Sequence, residues 1–485
     1  MPPAEKTAPP TLAASAAGDL PRVLGALSAA SILIGSIIGS GIFKNPAKIA
    51  TALPAPGWIL VAWAAAGFLS LIGSLLFAEL GSAYPGAGGQ YTFIRESFGK
   101  LPAFLFGWTN LLIINAFSIA ALAKISSQSL FGLLPVGWQA DPEGAATLAV
   151  AVIFVGLLTG VNAIGVRHGA GIQNILTVLK LGALGLIIAG LFLPSARWEN
   201  LSGMWQFRGE GGAGALLTGF KDAFLAILWA YDGWYLLSFS GGEIRNPRRN
   251  IPLGFILGIL VVIGVYIAAN VSYFSVLSLD DMKRLDAGGR IVAEEAGFRL
   301  YGEIGVFLIL TGIMCSTLGA ANGNILTGPR LSYAMAKDGL FYDSFGGVHA
   351  RYRTPFIAIV AQGALAALLV FAGDFHQLTD SVVFAAWIFY LLTVVGYFRL
   401  RRRYISREGV FIAPGYPILP AIFIAFAVPF IVYSAGDAFS KSVAWCRGAT
   451  DSADGLYPVI SLGIMLAGIP AYALFRGRGR RVGTG

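Results

Sequence analysis

Apolar stretches of about 20 residues recur along almost the whole chain, and a helix of that length can cross the hydrocarbon core of a bilayer. Only 12% of the 485 residues are charged, and the mean hydropathy is +0.72. A soluble domain carries about 25% charged residues to cover its surface. The sequence therefore predicts one α-helical membrane domain rather than several soluble ones.

We predict about twelve membrane-spanning helices, and we infer their orientation from the loops between them. Lys and Arg are more frequent in the loops that lie inside when both termini are cytoplasmic. This bias predicts that orientation and explains the net charge of +9 without a nucleic acid partner. The predicted spans lie near residues 24–50, 57–81, 101–130, 144–163, 171–194, 217–241, 251–277, 303–334, 355–373, 381–400, 416–436 and 457–475.

The first span contains a stretch that disfavours a continuous helix. Residues 35–41 include three glycines and two serines, and each glycine in a helix interior costs about 1 kcal/mol relative to alanine. One interpretation is close helix packing through the small pair Gly35 and Gly39. The other is an unwound segment at Gly39, Ser40 and Gly41, whose free backbone amides can bind an anion.

The sixth span contains a similar interruption. Residues 228–234 place an acid, a glycine and three aromatic residues in mid-membrane. The aromatic residues alone are explained by packing or by anchoring at the interface. An intramembrane charge such as Asp232 costs about 2.5–3.5 kcal/mol on insertion scales and therefore normally faces a cavity. Together with Gly233 it predicts a second broken helix.

Two interrupted helices five spans apart indicate two inverted repeats of five helices around a site at the membrane midplane. The spacing of the breaks carries this inference, because the two halves show no convincing similarity residue by residue. We expect a disordered cytoplasmic tail at 1–21, a ten-helix core at 22–400 with repeats at about 22–194 and 217–400, two additional helices at 401–475, and a basic cytoplasmic tail at 476–485.

Several stretches resemble the amino acid–polyamine–organocation superfamily and, within it, the L-type amino acid transporter family. Each is weak alone, but all occur in order on the expected helices. The resemblance extends from about residue 22 to 475 and implies a leucine-transporter-type fold and alternating access. The matching stretches are residues 39–43, 77–80, 84–91, 229–234, 243–247, 322–324 and 330–340.

The resemblance also implies a substrate site. The substrate carboxylate would meet amides of the first span, and the α-amine would meet carbonyls of the sixth span. Trp229 occupies the position of a gating aromatic residue, and packing is the alternative for its ring. The implied substrate-binding residues are Gly39, Ser40, Gly41, Trp229, Ala230, Tyr231, Asp232 and, on the tenth span, the aromatic Trp387.

Lys180 lies about ten residues into the fifth predicted span, too deep to reach water easily, so it needs polar partners in the membrane. The resemblance places it where sodium-coupled relatives hold a sodium ion. Its implied partners are the backbone near Gly35 and Ser36 and the hydroxyls of Ser316 and Thr317. A coupling role for Lys180 and Ser316, and uptake without sodium, follow from this implication. The alternative is a lysine that only stabilises helix packing.

Lys124 on the third span is not part of the family pattern. Three interpretations stay open: a buried pair with Asp232 facing the cavity, a contact with an acidic substrate side chain, or a lysine that snorkels outward. Animal members of the family carry a cysteine between the third and fourth spans that bonds a glycoprotein heavy chain. This chain has none between Ser126 and Ala145, so we expect no disulfide-linked heavy chain and a bacterial protein of the inner membrane.

The predicted function is sodium-independent transport of L-amino acids, by exchange or linked to protons, with the lipid bilayer and a small amino acid as the partners. The alternatives are a membrane amino-acid sensor without net flux, or a transporter of polyamines or other amines. We expect no enzyme activity, no cofactor and no metal site. The histidines, His168, His349 and His376, are far apart, and no catalytic constellation is visible.

Overall fold

The computed structural model describes residues 20–135, 141, 143–205, 212–449 and 455–481, and most of the predicted tail at 1–21 lies outside these residues. Within them the regular secondary structure is helical, apart from an isolated parallel bridge between Leu24 and Ile244. The helices are α1 Ala26–Ile37, α2 Gly41–Ala52, α3 Pro56–Ala83, α4 Gln90–Phe98, α5 Lys100–Thr109, α6 Asn115–Gly132, α7 Ala145–Ala163, α8 Val166–Ala189, α9 Gly212–Tyr231, α10 Leu236–Phe239, α11 Pro247–Val276, α12 Leu279–Ala287, α13 Val292–Thr327, α14 Pro329–Lys337, α15 Phe356–Leu369, α16 Phe375–Tyr404, α17 Ile418–Cys446 and α18 Leu456–Arg481.

The prediction of an all-α membrane protein is confirmed. Ten helical segments of the described chain are long and apolar enough to cross a membrane. The other two of the twelve predicted spans, the sixth and the ninth, are not among these ten segments. The sixth is divided into α9 and α10, and the ninth is the apolar helix α15, which has only 14 residues. The twelfth continues to Arg481, beyond its predicted end at 475.

Both predicted helix breaks are present. The first span is interrupted between α1 and α2, and the sixth is interrupted between α9 and α10. At the second break Gly233 has φ +103°, a conformation that glycine adopts readily because it has no Cβ. A Cβ added there would lie 2.9 Å from the carbonyl oxygen of Ser36. The two breaks therefore face each other at close range.

Tyr266 of α11 connects the two breaks. Its hydroxyl donates to the carbonyl oxygen of Ala230 at 2.8 Å, and it lies 3.3 Å from the carbonyl oxygen of Ile37. Carbonyls at a broken helix end lack their usual intrahelical donors. The tyrosine therefore stabilises the unwound segments of both spans from the same side.

The last two helices lie at the periphery of the helical body. In the membrane segments of α17 and α18, 22% and 28% of the residues are buried, compared with 72% and 78% in the first and third spans. Their exposed residues include large apolar side chains such as Ile418, Val432 and Leu466, which suit a lipid environment. The division into repeats and two additional helices stays a prediction.

Candidate substrate-binding site

A cavity of about 20 Å³ lies between the two helix breaks, which gives room for about one water molecule. It is much smaller than an amino acid, so the breaks are closed around it in this conformation. The lining residues come from the two broken spans, from α6 and from α13. They are Ser36, Ile37, Gly39, Ser40, Gly41, Ser118, Leu122, Trp229, Asp232, Gly233, Ala320 and Asn324.

The backbone amides of the first break face this cavity region without acceptors. α2 begins at Gly41, and the first amides of a helix have no intrahelical partner. No hydrogen bond from the amides of Gly39, Ser40 or Gly41 occurs within the described residues. Unpaired amides at a helix N-terminus, together with the helix dipole, favour an anion. The three residues are thus suited to a carboxylate, as the sequence suggests.

Gly39 and Gly41 differ in what a side chain would meet. A Cβ added at Gly41 would lie 2.5 Å from both Cα and Cβ of Ala230 on α9. A Cβ added at Gly39 would first meet the Leu122 side chain, at 3.1 Å. Gly41 is therefore required for the close approach of α2 to α9, whereas Gly39 mainly leaves space beside the cavity.

Trp229 covers the first break. Its indole Nε1 donates to the Ser40 hydroxyl at 3.3 Å, and its ring packs edge to face on Phe375 of α16 with centroids 6.1 Å apart. The Lys44 ammonium lies 4.7 Å from the centre of the Phe375 ring. Trp229 and Phe375 together separate the cavity from the end of the molecule where α16 begins.

Ala230 and Tyr231 do not line the cavity. The carbonyl of Ala230 accepts the Tyr266 hydroxyl, and the Tyr231 ring packs between Trp63 and Tyr266. Ala230 lies against Gly41 through its Cα and Cβ. Their predicted contact with a substrate amine stays a prediction.

Asp232 lines the cavity and accepts a hydrogen bond from the Tyr390 hydroxyl of α16 at 2.6 Å. One of the three interpretations of Lys124, an ion pair with Asp232, is wrong. The Lys124 ammonium lies 2.5 Å from the carbonyl oxygen of Gly373 and 2.5 Å from a carboxylate oxygen of Glu143. Only 2% of the Lys124 side chain is exposed, and Lys124 does not line the cavity.

Trp387 does not line the cavity either, contrary to the expectation from the resemblance. Its ring stacks on Phe423 of α17 with centroids 5.3 Å apart, and Phe426 and Phe430 surround it. Tyr390, three residues later on the same helix, reaches the second break instead. Packing of α16 against α17 therefore directs Trp387 away from the site.

Lys180 lies beside the first break, as the resemblance implies. Its side chain is fully buried, and its ammonium donates to the carbonyl oxygens of Gly35 at 2.8 Å, Ile38 at 2.5 Å and Ser316 at 2.9 Å. No acid within the described chain forms an ion pair with it. The lysine thus links the end of α1 to α13.

Among the described residues Lys180 binds backbone carbonyls only, whereas the resemblance also implies the hydroxyls of Ser316 and Thr317 as its partners. It binds the carbonyl of Ser316, not the hydroxyl, and the Ser316 hydroxyl lies 3.1 and 3.0 Å from the carbonyl oxygens of Ile38 and Gly39. The Thr317 hydroxyl is bound to Ser126 at 2.6 Å. Lys180 and Ser316 together therefore satisfy the carbonyls of the first break, while Thr317 joins α13 to α6.

Sequence reasoning missed several residues at the site. Ser118 and Asn324 line the cavity, and Tyr266 and Tyr390 bind the two breaks. Asn324 belongs to one of the stretches that resemble the transporter family, which was a usable signal. The other three are single polar residues in apolar helices, and nothing local distinguishes them. Among the described residues no group of His, Cys, Asp or Glu is arranged to hold a metal ion.

Comparisons with known proteins agree with this geometry. Residues 24–447 match the family model described as amino acid permease. The chain is 36% identical over 385 residues to the human b(0,+)-type amino acid transporter 1, covering 79% of this chain and 77% of that protein. It is 32% identical over 461 residues to the serine/threonine exchanger SteT of Bacillus subtilis (strain 168), covering 93% and 96%. It is 30% identical to the human cystine/glutamate transporter, covering 94% and 86%.

Proposed function

Since the chain belongs to the amino acid permease family, it is an integral membrane amino acid transporter and not an enzyme, and we propose that it exchanges amino acids by alternating access without sodium. The observation that carries the proposal is the set of unpaired amides at Gly39, Ser40 and Gly41 beside the cavity. These amides supply an anion site for the carboxylate, a group that all amino acids share.

The absence of sodium coupling is supported by Lys180. Its ammonium already satisfies carbonyls of the first break and of α13, which are the kind of oxygen ligand that a sodium ion uses. A fixed cation held there leaves no need for a second one. Relatives named as exchangers, such as the serine/threonine exchanger SteT, support exchange over net uptake.

The substrate class that we propose is neutral or cationic amino acids. The Asp232 carboxylate faces the cavity and has a hydroxyl rather than a cation as its partner. A buried carboxylate repels an acidic substrate side chain and tolerates a neutral or positive one. Lys124, which could have received an acidic side chain, is bound to Glu143 instead.

The test of this function uses purified protein in liposomes that are preloaded with one unlabelled amino acid. Uptake of a radiolabelled panel is measured with sodium, with choline in its place, and with a pH gradient. We expect uptake to require the internal amino acid and to be equal in sodium and choline. Equal uptake into empty and preloaded liposomes would contradict exchange, and strict sodium dependence would contradict the role of Lys180.

The location that we propose is a bacterial inner membrane with both termini in the cytoplasm. The Lys/Arg bias of the loops supports this orientation. We also propose that the transporter works without a disulfide-linked heavy chain, because no cysteine lies between Ser126 and Ala145. Of the two cysteines, Cys315 is buried and Cys446 is exposed, and they are not joined to each other.

Trp229→Ala is expected to lower kcat/KM for uptake by roughly tenfold or more, as for truncation of a central aromatic contact. The mutation removes the ring that covers the first break and packs on Phe375. Trp229→Phe keeps the ring and loses only the bond to Ser40, so it should restore most of the uptake.

Trp387→Ala is the matched control for Trp229, since it removes an equally large ring that packs on Phe423 outside the cavity. It should lower thermal stability while the KM of the remaining transport stays close to that of the wild type. A Trp229→Ala protein that transports normally would show that Trp229 is only a packing residue.

Lys124→Met is expected to lower the free energy of unfolding by roughly 1–3 kcal/mol, the cost of leaving a buried polar partner unsatisfied. The Gly373 carbonyl loses its donor, whereas Glu143 is half exposed and can be hydrated. Glu143→Gln should therefore cost less. The relative uptake of different amino acids is expected to be unchanged, and a shift in substrate preference would restore the interpretation of Lys124 as a substrate contact.

A further inference from the structure

Four arginines meet in one cleft at the end of the molecule opposite Phe375. The segment before α1 pairs with the segment after α10: the amides of Val23 and Leu24 donate to the carbonyl of Glu243, and the amide of Arg245 donates to the carbonyl of Leu24. α11 begins two residues later. The resulting cleft of about 620 Å³, the arginine cleft, is lined by Arg22, Pro85, Arg245, Asn246, Pro247, Arg248 and Arg249.

No acid lines the arginine cleft. The acid nearest to it in sequence, Glu243, points away and binds the buried guanidinium of Arg330 at 2.9 Å. Within the described residues none of the four arginines forms an ion pair, and the side chains of Arg22 and Arg249 have no hydrogen-bond partner. Among the residues that the structure describes, the cleft therefore carries four guanidinium charges without a neutralising acid.

The start of α11 makes this arrangement more costly. The N-terminus of a helix carries a partial positive charge, so acids are favoured there and cations are disfavoured. The first turn of α11 contains no acid and holds Arg248 and Arg249. Arg245 and Arg248 are held in place through backbone carbonyls: Arg245 donates to the carbonyl of Arg22 at 3.3 Å and Arg248 to that of Glu408 at 3.0 Å. These bonds leave most guanidinium N–H groups free for an outside anion.

The helix that begins in the cleft, α11, exposes apolar side chains farther along its length that suit acyl chains. On α11, Leu257, Leu260 and Val261 are 52%, 50% and 40% exposed, and at the start of α1 Leu27 is 79% exposed. Leu257 lies ten residues after Pro247, about 15 Å along the helix. Leu257, Leu260 and Val261 form an apolar stripe on α11. One phospholipid molecule could place its phosphate in the cleft and its acyl chains along this apolar stripe.

We propose that the arginine cleft binds the phosphate of an anionic phospholipid whose acyl chains lie against α11. Arginine binds phosphate with paired N–H donors, and basic residues beside a membrane helix attract anionic lipid. A zwitterionic lipid supplies no net charge to balance the four arginines. Free phosphate offers the same oxygens but has no contact with the apolar stripe.

The test titrates purified protein with phosphatidylglycerol or phosphatidylcholine and counts bound lipid by native mass spectrometry. The wild type is expected to retain one phosphatidylglycerol more tightly than phosphatidylcholine. Arg22→Gln/Arg249→Gln is expected to weaken this binding by roughly tenfold or more. The single Arg249→Gln should show the same loss in part, and its side chain has no partner among the described residues whose loss would disturb folding.

The matched control is Arg399→Gln/Arg402→Gln, which removes two exposed charges on α16 outside the cleft. It should keep the lipid. Equal loss in both double variants, or equal retention of phosphatidylcholine, would overturn the proposal. A third arm adds inorganic phosphate and measures thermal stability: protection equal to that by phosphatidylglycerol would show a free phosphate site and overturn the lipid assignment.

Discussion

Lys180→Met is expected to abolish transport, with kcat/KM lower by at least roughly 100-fold, because three hydrogen bonds from a charged group are lost at once. The ammonium of Lys180 holds the carbonyls of Gly35 and Ile38 at the first break and that of Ser316 on α13. Methionine fills nearly the same space without donating. The end of α1 would then be free to move away from α13, and the amides beside it would no longer be held at the cavity.

The affinity of the folded protein separates this role from simple packing. Lys180→Met leaves the carbonyls of Gly35, Ile38 and Ser316 without this donor, and a buried acceptor that loses its donor costs about 1–3 kcal/mol. We therefore expect Lys180→Met to unfold at a lower temperature than the wild type, and its substrate affinity to be lost even when binding is measured well below that temperature. Lys100→Met, which removes an exposed lysine, should change neither quantity. Normal exchange by Lys180→Met would show that Lys180 only stabilises helix packing.

The features that could be predicted from the sequence are those with a local physical cause. Apolar length gives the spans, and the glycines and serines of residues 35–41 give the first break. The depth of Lys180 in an apolar helix predicts that it needs polar partners in the membrane, whereas its partners at the first break were implied only by the family resemblance. Each of these depends on residues that are neighbours along the chain.

The features that were missed depend on distant contacts. Lys124 meets the Gly373 carbonyl, 249 residues away in the sequence, and no periodicity links these two positions. Between α5 and α6 the third span contains a π-helical turn, residues Asn110–Ile114. One extra residue in a turn rotates the following helix face by about 100°, so the position of Ser118 on the cavity could not be inferred from regular spacing. The expected position of Trp387 near the substrate also failed through a distant contact, because the aromatic residues of α17 determine the direction of its side chain.

Gly41→Val is expected to eliminate substrate binding. The added Cβ would lie 2.5 Å from the Cα of Ala230, a backbone atom that cannot rotate away, and the branched side chain adds to the clash. The two broken helices must then separate, which misplaces the amides that would receive the carboxylate. The measurement is equilibrium binding of radiolabelled amino acid, together with thermal unfolding of the same sample.

Three alanine substitutions separate a binding role from a packing role. Gly41→Ala meets the backbone of α9, Gly39→Ala meets the flexible side chain of Leu122 at 3.1 Å, and Gly160→Ala meets nothing within 4 Å. If the first break binds the carboxylate, Gly39→Ala should weaken binding by roughly tenfold with little change in unfolding temperature, because its methyl group intrudes beside the cavity. Gly41→Ala should lower both the substrate affinity and the unfolding temperature, and Gly160→Ala should change neither. Wild-type affinity in Gly39→Ala and Gly41→Ala would contradict the carboxylate site, since neither glycine could then be needed for the approach of a substrate to the backbone.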